Sequence, residues 1–166
     1  MKTILTLMAI VAGVVLTSCA SAKDGLTLAT VGPVPARAGG GSTGSGTLVV
    51  YSAYEVSADF NSRDPNRPEY SDYRIYAADG RFLRKVRNDS GTIFQDPRRV
   101  VLPAGRYRVL ARANGYGFIT IPVKVEAGRM TVVRLTGRWS ASDTFNQNNA
   151  VRLPDGWVAG YRAAGG

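Results

Sequence analysis

Arg106-Tyr107-Arg108-Val109-Leu110-Ala111-Arg112-Ala113, then Asn114-Gly115-Tyr116-Gly117, then Phe118-Ile119-Thr120-Ile121-Pro122-Val123-Lys124-Val125, is the stretch that decides the fold. In the first run Tyr107, Val109, Ala111 and Ala113 fall on one side, while Arg106, Arg108 and Arg112 fall on the other. In the second run Ile119, Ile121, Val123 and Val125 share a side. A period of two marks a strand with one buried and one wet face, and Asn-Gly between two such runs marks a hairpin. Pro122 has no N–H to donate, which points to an edge or bulge position.

The same grammar extends outward. Tyr73-Arg74-Ile75-Tyr76 and Phe82-Leu83-Arg84-Lys85-Val86 flank Asp79-Gly80, a second hairpin signal. Leu48-Val49-Val50-Tyr51 and Val100-Val101-Leu102 read as strands, with a turn at Pro103-Ala104-Gly105. Ala127-Gly128 turns the chain into Thr131-Val132-Val133-Arg134-Leu135. Polar loops span residues 57–71 and 88–98, the second with a brief strand expected at Thr92-Ile93-Phe94. No segment beyond residue 18 has a helical period. About seven short strands at this spacing predict an all-β, antiparallel β-sandwich over residues 47–137.

At the other end of the chain, Lys2 precedes an apolar run from Ile4 to Val15, and Leu16-Thr17-Ser18-Cys19 follows. A short positive region, an apolar region and small residues make the plan of a secretory signal. The run falls short of the roughly 20 residues that span a bilayer. Cys19 is the only cysteine. Leu16, Thr17, Ser18 and Cys19 resemble the lipobox of bacterial lipoproteins, which implies cleavage after residue 18 and a diacylglyceryl group on Cys19. Two or three acyl chains, at about 0.8 kcal/mol per buried methylene, hold a protein stably to a membrane. Ala20 and Ser21 resemble the default for passage to the outer membrane. Residues 19–46, rich in Gly, Ser and Pro, read as a flexible tether. Such a tether spans on the order of 25–30 Å and reaches roughly 90 Å when stretched.

Composition narrows the chemistry. The 166 residues contain no histidine, so the commonest general base and metal ligand is missing. No metal site and no cofactor are expected. Paired carboxylates remain open as a catalytic device, but the spacing of the acids proposes no pair. Asp59, Asp64, Glu69 and Asp72 lack the spacing of a calcium loop. With one cysteine there is no internal disulfide, and stability must come from burial and sheet hydrogen bonds.

Val100-Val101-Leu102-Pro103-Ala104-Gly105-Arg106-Tyr107-Arg108-Val109, followed by Asn114-Gly115-Tyr116 and by Gly128 before Val132, Val133 and Leu135, resembles the carboxypeptidase regulatory-like and PEGA group. That resemblance implies a transthyretin-like (prealbumin-like) sandwich and a non-catalytic accessory, adhesive or glycan-facing module of the envelope. Hydroxyisourate hydrolases share that sandwich, but their site needs histidines and a C-terminal Tyr-Arg-Gly-Ser. Here the chain reads Tyr161-Arg162-Ala163-Ala164, so that activity is excluded.

Three groups are candidate binding residues. Arg106, Arg108 and Arg112 share a strand face, and guanidinium groups suit phosphates and carboxylates. A solvated face that resists edge-to-edge association is their default role. Tyr54, Tyr70 and Tyr116 stand among the loop aromatics that can stack on sugars or anchor an interface, although many such rings serve the core. Trp157, with Trp139, Phe145 and Tyr161, belongs to a C-terminal tail, 138–166, expected to fold back on a sheet edge or face. Net charge is +9 at pH 7. Nucleic acid is an unsuitable partner for an exported chain. The membrane through Cys19, an envelope protein or a cell-wall glycan are the expected partners, with the chain itself a monomer. A membrane-anchored structural or interaction module is the expected function, with carbohydrate or peptidoglycan binding as the alternative.

Overall fold

The computed structural model describes residues 25–35, 44–56, 68–88, 96–137 and 147–164. The lipobox residues, Trp139, Phe145 and the strand expected at 92–94 lie outside the described residues.

Among the described residues the fold is all-β, with one 3-10 turn at Gln147–Asn149. Its strands are β1 (Val31–Gly32), β2 (Ser45–Tyr51), β3 (Tyr54–Val56), β4 (Pro68–Tyr70), β5 (Tyr73–Ala77) and β6 (Phe82–Val86). They continue with β7 (Arg99–Pro103), β8 (Gly105–Ala113), β9 (Gly117–Val125), β10 (Met130–Arg134), β11 (Ala150–Arg152) and β12 (Val158–Arg162). One sheet runs β11-β12-β1-β9-β8-β5-β6, a second β10-β2-β7, and β3 pairs with β4 alone.

The β8–β9 hairpin pairs Gly105 with Val125 through to Ala113 with Gly117 without a register break. Gly115 closes its turn at φ 80°, where a side chain would be strained. Val109, Ala111, Ile119, Ile121 and Val123 are fully buried. They meet Leu48, Val50, Val100, Leu102 and Val133 of the three-stranded sheet in one apolar cluster. Asn88, also buried, pins the layers together. Its Nδ2 donates to the Val50 carbonyl (2.8 Å) and to Ser52 Oγ (2.9 Å), and its Oδ1 accepts from the Arg98 amide (3.1 Å).

Three expectations are corrected. The sheets are mixed: β2 runs parallel to β10, and β1 runs parallel to β9. These partners are distant in sequence, and alternation records which face is buried, not the direction of the neighbour. Among the described residues the strands number twelve, and β2 to β10 put nine rather than about seven in the expected sandwich region, because β3 and β4 are too short to show a period.

The third correction concerns residues 19–46. Within that span Leu28 and Val31 are buried, and β1 joins β9 to β12 in the large sheet. Thr27 bridges Thr120, and Val31 pairs with Val123, so the incoming segment carries one residue more than β9 between the two contacts. Pro122 lies between those contacts, where it can donate nothing to the ladder. That break explains both the shift and the brevity of β1.

The tail was expected on a sheet edge or face. It lies along the β1 edge as two further strands of the large sheet: β12 pairs with β1, and β11 pairs with β12. β12 passes so near β10 that a Cβ on Gly160 would stand 2.7 Å from the Val132 carbonyl oxygen.

Candidate functional site

Several loops converge at the end of the molecule where β8 turns into β9. The Ala53 amide donates to the Arg112 carbonyl (2.8 Å), and the Ser71 amide to Ala53 (2.9 Å). The Leu135 amide donates to Tyr51 (2.7 Å), and the Asn114 amide to Leu135 (3.0 Å). These bonds fix a half-open cleft of about 480 Å³ whose walls include Tyr70, Arg74, Lys85, Arg112 and Phe118. That volume suits a small ligand or a chain end.

The cleft carries three basic residues, Arg74, Lys85 and Arg112, and two acids, Glu69 and Asp72, with an aromatic lip. Arg112 lies with its guanidinium carbon 6.0 Å from the centroid of Phe118, which is 58% exposed. Asp72, also in the wall, accepts from the Asn88 amide (3.2 Å) and pairs with Lys85 at 2.8 Å. These contacts commit that carboxylate to holding the β6 end in place.

The tyrosines largely satisfy one another. Tyr54 stacks on Tyr70 at 4.4 Å and 27°, and their hydroxyls are 2.6 Å apart. Tyr51 meets Tyr70 edge-on at 5.6 Å, with the Arg134 guanidinium 4.2 Å above the Tyr51 ring. Burial, then the bond to Tyr54, pushes the Tyr70 phenol well above the ordinary range. Tyr70 is therefore a wall of the cleft and Tyr54 its outer layer, still half-exposed.

Tyr116 and Trp157 form a separate group. The Tyr116 phenol is pushed upward by partial burial against the core, then by its bond to Asp155 and that carboxylate's charge. The Trp157 amide donates to the same Asp155 (3.1 Å), while the indole stays 40% exposed.

Arg106 and Arg108 extend away from the cleft along the outer face of β8. Arg108 donates to the Ala78 carbonyl and lines a second hollow of about 240 Å³ with Tyr76, Leu110 and Thr120. The seven candidates are thus not one site. Arg112, Tyr70 and Tyr54 gather at the cleft, Tyr116 and Trp157 gather at Asp155, and Arg106 and Arg108 belong to a sheet face.

Lys85 is one of the basic residues expected beside the β8 arginines, whereas Arg74 was outside the candidates, and cross-strand pairing brings both to the cleft. The sequence signal was the alternation of Arg74 and Tyr76 with buried Tyr73 and Ile75. Among the described residues no group of three or more His, Cys, Asp or Glu could hold a metal. No described helix is long and apolar enough to cross a membrane. The arrangement is suited to recognition of anionic or planar groups. No family model, curated protein or solved structure matches the chain.

Proposed function

We propose that this chain is a lipid-anchored protein of the bacterial envelope whose β-sandwich is a non-catalytic interaction module, presented at the outer membrane. The observation that carries the reading is Leu16-Thr17-Ser18-Cys19 directly after the apolar run from Ile4 to Val15, with Cys19 the only cysteine. The transthyretin-like assignment is supported by the strands that lie in residues 47–137. Setting aside the short β3–β4 pair, β9-β8-β5-β6 and β10-β2-β7 supply the seven strands of the expected sandwich. The cleft supports an interaction role, since its cations and aromatic lip are already positioned by backbone bonds.

Metabolic labelling with an alkyne fatty acid tests the anchor. The expected result is a labelled protein in the membrane fraction, and an unlabelled, mislocalised Cys19→Ala variant. A wild-type protein that matures unacylated and free in the periplasm refutes the reading.

Glycan binding is the second reading, favoured by the exposed Phe118 ring beside Arg112 at the cleft mouth. Sugars stack on aromatic faces while charged groups bind their polar rim. Sedimentation with purified peptidoglycan tests it: retention by wild type and loss in Phe118→Ala are expected, and no retention of wild type removes it.

A further inference from the structure

We propose that the outer face of the large sheet docks on an anionic phospholipid bilayer, with Phe118 and Phe82 as apolar contacts around an arginine-rich centre. The inference rests on the anchored reading above and adds an orientation to it.

The first observation is charge. Strands β5, β6, β8 and β9 contain no Asp or Glu. Their outward side carries Arg74, Lys85, Arg106, Arg108, Arg112 and Lys124. Arg74 pairs directly across from Lys85, and Arg106 directly across from Lys124. Like charges directly opposite in a sheet are destabilising, so stability alone does not account for two such pairs on one face. The acids that meet the lysines come from loops at the two ends, Asp72 to Lys85 and Glu126 to Lys124.

The second observation is apolar exposure within the same face. Phe82 is 52% exposed and Phe118 58%. The row Phe82, Tyr76, Arg108, Pro122 crosses the sheet in register, and Arg112 faces Phe118 one row pair further along. Given strand spacing and rise, the two phenylalanines are roughly 20 Å apart on either side of the arginines. Aromatic rings at the rim with basic groups between them match the headgroup level of a bilayer, where apolar rings insert and cations meet phosphates.

The third observation is where the chain enters, and it selects a bilayer over other polyanions. The Thr120 amide donates to Leu26 (2.8 Å), and a Cβ on Gly25 would stand 3.2 Å from the Phe118 carbonyl oxygen. The described chain therefore begins at the edge of this face, beside Phe118. Cys19 precedes Gly25 by six residues in sequence, at most about 21 Å of extended chain. A leash that short keeps the face at high effective concentration beside the membrane. Each basic side chain near an anionic surface then favours the docked state by roughly five-fold.

The test places the acylated full chain carrying Phe118→Trp in vesicles of brominated phosphatidylglycerol and phosphatidylcholine, or of brominated phosphatidylcholine alone. Excess quenching over the parent chain reads contact at position 118. Strong excess quenching is expected only in the anionic vesicles, and it should vanish in about 0.5 M salt, where the Debye length falls to a few Å. Substituting Arg74→Gln, Arg108→Gln and Arg112→Gln together should lower the ratio of docked to undocked protein about 100-fold. The salt titration on the unsubstituted face keeps the test decisive if the triple variant folds poorly. Equal quenching at position 118 in neutral and anionic vesicles, or quenching insensitive to salt, overturns the proposal. Flotation with neutral vesicles scores the anchor separately: a chain that floats without contact at 118 refutes docking alone, and contact without neutral flotation refutes the anchor alone.

Discussion

Replacing Val31 by Ala asks whether the segment before β2 is a structural strand or a tether. Val31 is fully buried between β9 and β12, paired with Val123 on one side and Arg162 on the other. The substitution deletes two methyl groups, worth about 1.6 kcal/mol at roughly 0.8 kcal/mol per methylene-sized group. The residual cavity in a close-packed core adds about 1 kcal/mol, giving about 2–3 kcal/mol in all. Gly160→Ala approaches the same contact from the other side. Its new Cβ would stand 2.7 Å from Val31 Cγ1 and 2.7 Å from the Val132 carbonyl oxygen. Overpacking of this kind costs about 1–3 kcal/mol. In the double variant the clash with Val31 disappears while the clash with Val132 remains. The pair should therefore be less destabilised than the sum, by about 1 kcal/mol. Urea unfolding of the wild type, the two single variants and the double variant, followed by circular dichroism, measures all four stabilities. A loss below about 0.5 kcal/mol for Val31→Ala, or additivity within about 0.3 kcal/mol, refutes the placement of β1 and with it the short leash.

Asn88→Leu should destabilise by about 2–5 kcal/mol in urea unfolding, because the Val50 carbonyl and the Arg98 amide lose their buried partner. Ser52→Ala, which removes the hydroxyl that donates to Ser71 and accepts from Asn88, should cost about 1–3 kcal/mol. Tyr73→Phe should be neutral or mildly stabilising at neutral pH, since the buried hydroxyl has no hydrogen-bond partner among the described residues. Burial also holds the Tyr73 phenol above its ordinary 10.0, against the pull of Arg84 and Arg98, so the wild type should lose stability as pH rises past that value. The variant should then unfold at higher pH, as read by alkaline titration. The hydrogen bond from Lys124, then that from Arg129, keeps the Glu126 carboxyl below its ordinary 4.5 despite some burial. A depressed carboxyl contributes stability above its unfolded value and loses it as pH falls through the folded one. Glu126→Gln should therefore cost up to about 1 kcal/mol near neutral pH, and that cost should shrink progressively as pH falls below 4.5, checked by urea midpoints across the acid range.

Much of the all-β core was legible in residues 73–135, because burial of one face leaves a period of two in the side chains. The turns at Asp79-Gly80 and Asn114-Gly115 were legible for a different reason. Gly80 and Gly115 sit at positive φ, a conformation that restricts residue choice locally. Pro122, expected at an edge or bulge, instead sits in the central strand with unbroken β8–β9 pairing, and the one-residue offset falls on the segment that faces its other side. The candidate site was less visible. Tyr54 and Tyr70 could be named as loop aromatics, yet nothing local revealed that they stack on each other. Arg74 and Lys85 joined Arg112 only through the pairing of three strands.

By itself, then, the sequence determined what is local: an apolar run that ends in Leu16-Thr17-Ser18-Cys19, the strand and turn pattern, and a chemistry without histidine. Tertiary structure alone decided that Leu28 and Val31 leave the tether for the core, that β2 and β10 run parallel, and that the basic residues of four strands share one face. Each of these depends on which distant segment lies alongside. A side chain's alternation reports that it is buried, while the partner that buries it is chosen by packing across the whole chain.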